Sequence, residues 1–413
     1  MKVHAGKNRM KKIKLINCYF GSFPWYFKLF LKSCCSNPTI EFLIFSDHNY
    51  EGVLPKNVEI IYYTLNDFIR DAEEVLDCKI NIKSAYKLCD FKPAYGVIFS
   101  DYLKAFDFWG ICDIDVILGR IRNFFPDELL DKYDVFSVNR DYPSGFFMLF
   151  KNETKSNMLF SKSKDYLEVF KSDKHYCFDE CNFKHDLLRM GKDIFSVNCD
   201  IESMHHVLKN EQSTNAIKTS FRMLAIESLP GNLEWNNGIL IYSSEYEALL
   251  YHLIDFKSNI YTKKYLKSNI SDRFFIHKHL ITNKHKSHFQ IAIIYFYYEK
   301  FYPFLRGLIR NMDFYISYLI PGFSSAPRVE GKYKFWNTVV SIKKNETKEY
   351  ILSLTNSNQS YPVHFSVFNS KTLFIRSKPN IELKICETTE GFITKIVWTN
   401  KKGLQRVYEI IKD

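Results

Sequence analysis

The stretch Phe106-Asp-Phe-Trp-Gly-Ile-Cys-Asp-Ile-Asp-Val-Ile-Leu-Gly119 decides how the chain is read. Five of the six residues from Phe106 to Ile111 are apolar or glycine, the composition of a buried strand. Two aspartates follow one residue apart, Asp113 and Asp115, before a second apolar run from Val116 to Leu118. Carboxylates at i and i+2 fall on one side of an extended chain. At a strand's carboxyl end they are placed to hold Mg²⁺ or Mn²⁺, hard cations that take carboxylate and phosphate oxygens. For the tripeptide alone a solvated turn is the commoner outcome, but the apolar walls on both sides argue against it.

Outward from this stretch, Ile13 to Phe20 reads as a buried strand and Trp25 to Cys35 has apolar residues at helical spacing. Ile40 to Phe45 is a second strand ending in Ser46-Asp47, and Val58 to Tyr63 a third, with Thr64 opening a helix to about Val75. Strands alternating with helices predict a mostly parallel α/β sheet flanked by helices, whose ligands sit beyond the strands' carboxyl ends. Cys18 to Gly21, Ser46-Asp47 and Asp113 to Asp115 are expected to converge there. Ser84 to Phe91 is predicted helical, and Ala94 to Lys104 continues as a second helical stretch after Lys92-Pro93. Proline favours the first helical position, so Lys92 is expected at a helix N-terminus, where phosphate is attracted. Asp134 to Asn139 and Ser144 to Asn152 are strands. Phe178 to Leu188 places Asp179 and Glu180 at the start of a helix, as dipole partners or as a proton-accepting carboxylate. Past residue 200 the pattern turns antiparallel: Leu233 to Tyr242 is a hairpin around Asn-Asn-Gly, and Glu245 to Phe256 carries His252, with Lys257 just after.

At 413 residues the chain suggests more than one domain. The expected division is residues 1–276 as a catalytic domain, 277–327 as a helical basic and aromatic bridge, and 328–413 as a small β domain of about six strands. The bridge either packs or rests on anionic lipid. Hydrophobic content of 46% and charged content of 25% are those of a soluble globular protein. A net charge of +11 invites an anionic partner, but the lysines are spread, and no nucleic-acid surface is expected. Ten cysteines without a CxxC pair read as reduced thiols, and His175-x-Cys177-x3-Cys181 lacks a fourth metal ligand at a familiar spacing. No signal peptide and no spanning apolar run are read, so a cytoplasmic protein is expected, peripheral at the inner face of the plasma membrane if the bridge meets lipid.

Taken in order, four motifs resemble bacterial glycosyltransferases of the GT-A fold, of the capsule and lipopolysaccharide type. They are Lys87-Leu-Cys-Asp-Phe-Lys-Pro-Ala-Tyr-Gly96, Asp107 to Gly119, Ser144-Gly-Phe-Phe-Met-Leu-Phe-Lys-Asn152 and Asp179-Glu180, and the resemblance spans roughly residues 13–257. It implies a metal-dependent enzyme moving a sugar from a nucleotide-diphosphate sugar, UDP being expected, to a hydroxyl of a cell-surface glycan or lipid-linked acceptor. By the same resemblance Asp113 and Asp115 hold Mn²⁺ or Mg²⁺ against the diphosphate, with Ile114 beside the donor. Asp90 binds the donor sugar or ribose, Lys92 the diphosphate, and Cys18, Tyr19 and Phe20 face the base. Asp179 or Glu180 is the catalytic base. His252 and Lys257 stand where related enzymes place a third metal ligand or a phosphate contact, although the usual His-x-x-Lys register is loosened to five residues here. The competing readings are a membrane-apposed or nucleic-acid-binding scaffold and another nucleotide-dependent transferase on an α/β sheet. The last would carry a glycine-rich phosphate loop after the first strand, where Asn17-Cys-Tyr-Phe-Gly-Ser-Phe-Pro24 has one glycine among bulky aromatics.

Overall fold

Strand residues alternate between two apolar clusters, which is why the first strands read as almost unbroken hydrophobic runs. Ile13 and Leu15 of β1 (Ile13–Cys18), Phe42 and Ile44 of β2 (Ile40–Ser46), and Phe108 and Cys112 of β4 (Phe108–Cys112) face one cluster. Ile16, Leu43, Phe45, Trp109 and Ile111 of the same strands face the other. Helix α1 (Phe27–Cys35) covers the first face with Phe27, Leu29 and Phe30. Helix α2 (Leu65–Leu76) covers the second with Phe68 and Ala72, and a capping box between Thr64 and Asp67 fixes its start.

The computed structural model describes residues 9–228, 231–257, 262, 270–278 and 280–297, together with the backbone of eight strands between 331 and 410. The chain divides into two compact units, Met1–Ile291 and Ala292–Asp413. The first is built on a seven-stranded sheet. Its order is β3-β2-β1-β4-β7-β6-β8, adding β3 (Val58–Tyr62), β6 (Val135–Ser137), β7 (Phe147–Lys151) and β8 (Thr219–Phe221). All neighbours are parallel except at β7, which runs antiparallel to both β4 and β6. The expected mostly parallel α/β sheet is therefore present.

Two smaller sheets complete this unit. β5 (Val116–Leu118), β13 (Leu250–His252) and β9 (Ala225–Ile226) form one, with β13 in the middle. β10 (Leu233–Asn236) and β11 (Ile239–Tyr242) form the predicted hairpin in the other. Its turn residues Asn237 and Gly238 have φ of 47° and 90°, the left-handed pair such a turn needs.

Two local expectations differ. Residues Ala85–Ala94 form a 3₁₀ helix, followed by short α-helices at Tyr95–Ile98 and Ser100–Leu103. Lys92 thus sits in the last turn of the 3₁₀ helix, not at an α-helix N-terminus. Asp179 and Glu180 lie in a turn ahead of the helix His185–Arg189, not in its first turn, because Asn182 and Phe183 take left-handed φ of 51° and 59° and interrupt it.

In the second unit eight antiparallel strands, Gly331–Phe335 through Gln405–Ile410, close into a barrel, more than the six expected. Closure removes exposed strand edges. Of the basic and aromatic segment 277–327, residues 279 and 298–327 lie outside the described residues. Among the described residues no helix is long and apolar enough to cross a membrane.

Gly110 of β4 has no room for a side chain, since a Cβ there would sit 2.8 Å from Cδ2 of both Leu15 and Leu149 and closer still to the Met148 carbonyl. Gly110→Ala is expected to destabilise the protein by about 1–3 kcal/mol in chemical denaturation. A loss below about 0.5 kcal/mol would show that the sheet is looser at β4 than described.

Candidate active site

Because β1 and β4 are parallel neighbours, their carboxyl ends open side by side. Asn17 Nδ2 donates to the Cys112 carbonyl at 3.0 Å and reaches Asp113 Oδ1 at 3.4 Å. The Asp113 amide donates to the Phe146 carbonyl at 2.9 Å, tying this end to the turn before β7. Lys92 Nζ closes the link, donating to both Asp113 oxygens at 2.8 Å and to the Gly145 carbonyl at 2.7 Å.

Asp115 belongs to a second set of partners. β5 starts at the next residue and pairs antiparallel with β13, so Val116 stands opposite His252. That register brings His252 Nε2 to 3.5 Å and Lys257 Nζ to 2.5 Å from Asp115 Oδ2. On its other side the imidazole meets Glu227 Oε1 at 2.9 Å from Nδ1, and its ring stacks on Phe146 with centroids 4.3 Å apart. Glu227 thereby orients the ring. Asn17 Oδ1 and Asp115 Oδ1 are buried side-chain oxygens with no hydrogen-bond partner among the described residues. Buried oxygens are normally paired, so oxygens left open at the neighbouring ends of β1 and β4 are the kind of donor a hard cation takes. Asp113, Asp115 and His252 are the donors that could hold it.

The charges answer one another. Burial pushes Asp113 up, opposed by the Lys92 ammonium. Burial would also raise Asp115, but the His252 hydrogen bond and the Lys257 charge hold it well below the usual carboxylate range. Burial disfavours a charged His252, yet its hydrogen bonds to Asp115 and Glu227 push it up to about 9. Lys92 stays charged despite burial because Asp113 faces it.

A second carboxylate pair flanks Gly145. The Gly145 amide donates to Glu180 Oε1 at 2.6 Å, and a Cβ at that position would run into Asp179 Oδ2. Both oxygens of Glu180 are engaged, since Oε2 also meets His185 Nε2 at 2.7 Å. Burial and then the Glu180 charge push Asp179 up, while His185 and the Gly145 amide hold Glu180 down against its own burial. Asp179 also feels Lys92 and Asp113, which places it across the Gly145 turn from the Asp113–Asp115 pair.

The remaining expected residues divide. Tyr19 lies on the side where Asp115 and Lys257 act on its hydroxyl, although burial is what chiefly raises its pKa. Cys18 and Phe20 turn toward the opposite core, and burial pushes the Cys18 thiol up to about 12. The Ile114 side chain is buried in the core, so only its backbone is left to meet a donor. Asp90 is fully buried, and its oxygens take Lys87 Nζ, His175 Nδ1 and the amides of Tyr176 and Phe178, all at 2.9–3.0 Å. Instead of facing a donor sugar, it fixes the turn that leads into Asp179. Asn17 and Glu227 were not anticipated, and neither lies in a spacing pattern that marks it.

Residues 15–285 match a family of unknown function, DUF6625. The chain belongs to that family. No curated protein matches it. Among solved structures it is similar to mouse xyloside xylosyltransferase 1 in its apo form, with 11% identity and a TM-score of 0.34 over 58% of this chain and 96% of that one. It is also similar to the galactosyltransferase LgtC in complex with donor and acceptor sugar analogues, with 12% identity and a TM-score of 0.26 over 38% of this chain. For the glycosyltransferase GlyE of Streptococcus pneumoniae TIGR4 the values are 11% and 0.26 over 52% of this chain. The chain spans 64% of LgtC and 45% of GlyE.

In metal-free protein the raised His252 carries a pH signature. Its folded value near 9 exceeds the ordinary 6.5, so the stability it contributes is fully present below pH 6.5 and is lost as pH rises through 9. Glu227→Gln removes one of the two groups that raise it. The fall in unfolding free energy from pH 6.5 to 9, measured in EDTA, is expected to shrink in this variant. An unchanged slope would contradict the His252–Glu227 pairing.

Proposed function

We propose that the protein is a glycosyltransferase of the GT-A type that transfers a sugar from a nucleotide-diphosphate donor to a hydroxyl. The observation that carries this reading is the Asp113–Asp115 strand end, where Asp115 pairs with Lys257 and His252 yet keeps one buried oxygen unpaired, and Asp113 faces Lys92. Hard oxygen donors and cations side by side suit a cation bridged to a diphosphate better than either ligand alone. Mn²⁺ or Mg²⁺, held by Asp113 and Asp115 with His252 as third donor, would supply Lewis-acid neutralisation of the leaving diphosphate. Lys257, whose side chain is 40% exposed, is the cation positioned to meet phosphate from solvent. Lys92 keeps Asp113 aimed and adds positive potential behind it.

Asp179 is the base we favour. Glu180 has both oxygens engaged, whereas Asp179 is in no ion pair among the described residues, and burial beside Glu180 raises its proton affinity. Attack by an acceptor hydroxyl deprotonated there would invert the anomeric carbon. Tyr19, whose hydroxyl feels Asp115 and Lys257, would flank the nucleotide. A UDP-sugar donor and a cell-surface glycan or lipid-linked acceptor, in capsule or lipopolysaccharide assembly, fit the net charge of +11.

Thermal shift with UDP, GDP and CMP, with and without Mn²⁺, tests the donor site. A metal-dependent rise in melting temperature is expected with at least one nucleotide and is expected to vanish in Asp113→Asn and Asp115→Asn. Asp179→Asn should keep the shift and lose about 10²- to 10⁴-fold in transfer rate. If no nucleotide gives a metal-dependent shift, the reading fails.

A further inference from the structure

On the far side of the Gly145 turn, Cys177 Sγ, Glu180 Oε2 and His185 Nε2 lie within 4.8 Å of one another. Sγ is 3.4 Å from Oε2 and 3.8 Å from Nε2, and Nε2 is 2.7 Å from Oε2. The three atoms meet as a triangle, not in a line. Thiol and carboxylate approach the same ring nitrogen, so this is not a relay in which a carboxylate orients one nitrogen while the other takes the thiol proton.

A tetrahedral zinc ion, with Zn–S of about 2.3 Å and Zn–N and Zn–O of about 2.0–2.2 Å, sets its donors roughly 3.4–3.6 Å apart. The two separations involving sulfur already match this within a few tenths of an ångström. The third widens when the Glu180–His185 hydrogen bond gives way to an ion. The local backbone supports the grouping. Cys177 holds a left-handed φ of 53°, uncommon for a residue with a side chain. Asp90 pins the chain on either side of it through the Tyr176 and Phe178 amides. The Gly145 amide occupies Glu180 Oε1 and leaves Oε2 turned toward the thiol. Of the His175-x-Cys177-x3-Cys181 run, only Cys177 takes part, since His175 is committed to Asp90.

We propose that Cys177, Glu180 and His185 bind a zinc-class divalent ion, separate from the Asp113–Asp115 pair, through one thiolate, one carboxylate and one imidazole. The mixed sulfur, nitrogen and oxygen set selects Zn²⁺ over Mg²⁺ and Mn²⁺, which prefer oxygen alone. Three protein donors leave a fourth position for water. Binding displaces the thiol proton, which burial otherwise retains on Cys177. The ion also offsets the Glu180 charge that Asp179 feels, so it acts as a positioning element for the neighbouring carboxylate. The assignment does not depend on the transferase reading.

The test is Co²⁺ substitution of the full chain. One equivalent is expected to give a thiolate-to-cobalt charge-transfer band in wild type and equally in the Asp113→Asn/Asp115→Asn double variant. Cys177→Ser should lose the band, and both it and His185→Gln should bind Zn²⁺ about tenfold more weakly or worse against a chromophoric chelator. A wild-type spectrum without the band overturns the proposal, as does a band that persists in Cys177→Ser. Should Cys177→Ser fail to fold, His185→Gln decides, because Zn²⁺ affinity unchanged in that variant overturns the proposal equally.

Discussion

The Lys92 ammonium is the contact on which the site depends. It is buried between the Asp113 carboxylate at the end of β4 and the Gly145 carbonyl before β7, and adds a side-chain tie beside the backbone bond from the Asp113 amide to the Phe146 carbonyl. A buried ion pair adds little net stability when compared with a hydrophobic replacement, but removing one partner strands the other charge at a cost of about 3–5 kcal/mol. The pair therefore defines geometry more than it adds stability. It keeps one carboxylate of Asp-x-Asp pointing inward while the other answers to Lys257 and His252.

The 3₁₀ helix Ala85–Ala94 carries this arrangement to the second carboxylate pair. At ten residues it is long for its kind, and its i,i+3 side chains eclipse, which aligns Lys87 with Asp90 at 3.0 Å. Lys87 and Lys92 leave the helix in different directions. Lys87 reaches the carbonyls of Val169 and Lys174 and, with Asp90, shapes the turn ahead of Asp179. Lys92 reaches the sheet. One short, tightly wound element thus sets the spacing between the Asp113–Asp115 pair and the Asp179–Glu180 pair across from it.

The sheet and the Asp113–Asp115 end were legible because period-two burial on both faces leaves near-continuous apolar strands with acids only where they stop. The approach of His252 and Lys257 to Asp115 was legible only through resemblance, since it arises from β5–β13 pairing between residues more than a hundred positions apart. Lys92 was placed at the wrong kind of helix position because Pro93 suits an α-helix first turn and is equally tolerated in the 3₁₀ helix that forms. Phe183 in a left-handed conformation has no sequence sign, so the turn holding Asp179 and Glu180 read as helix. Glu227 and Asn17 act through tertiary contacts that leave no periodicity behind.

β7, the reversed strand of the sheet, determines more than pairing. A sheet with all strands parallel would present only carboxyl ends at this rim, whereas β7 brings an amino end, with the Gly145 amide free to bind a carboxylate. The same reversal places the connection 138–146 between β6 and β7 at the rim. Insertions or deletions in that connection would reshape the rim beside Gly145 while every strand keeps its register.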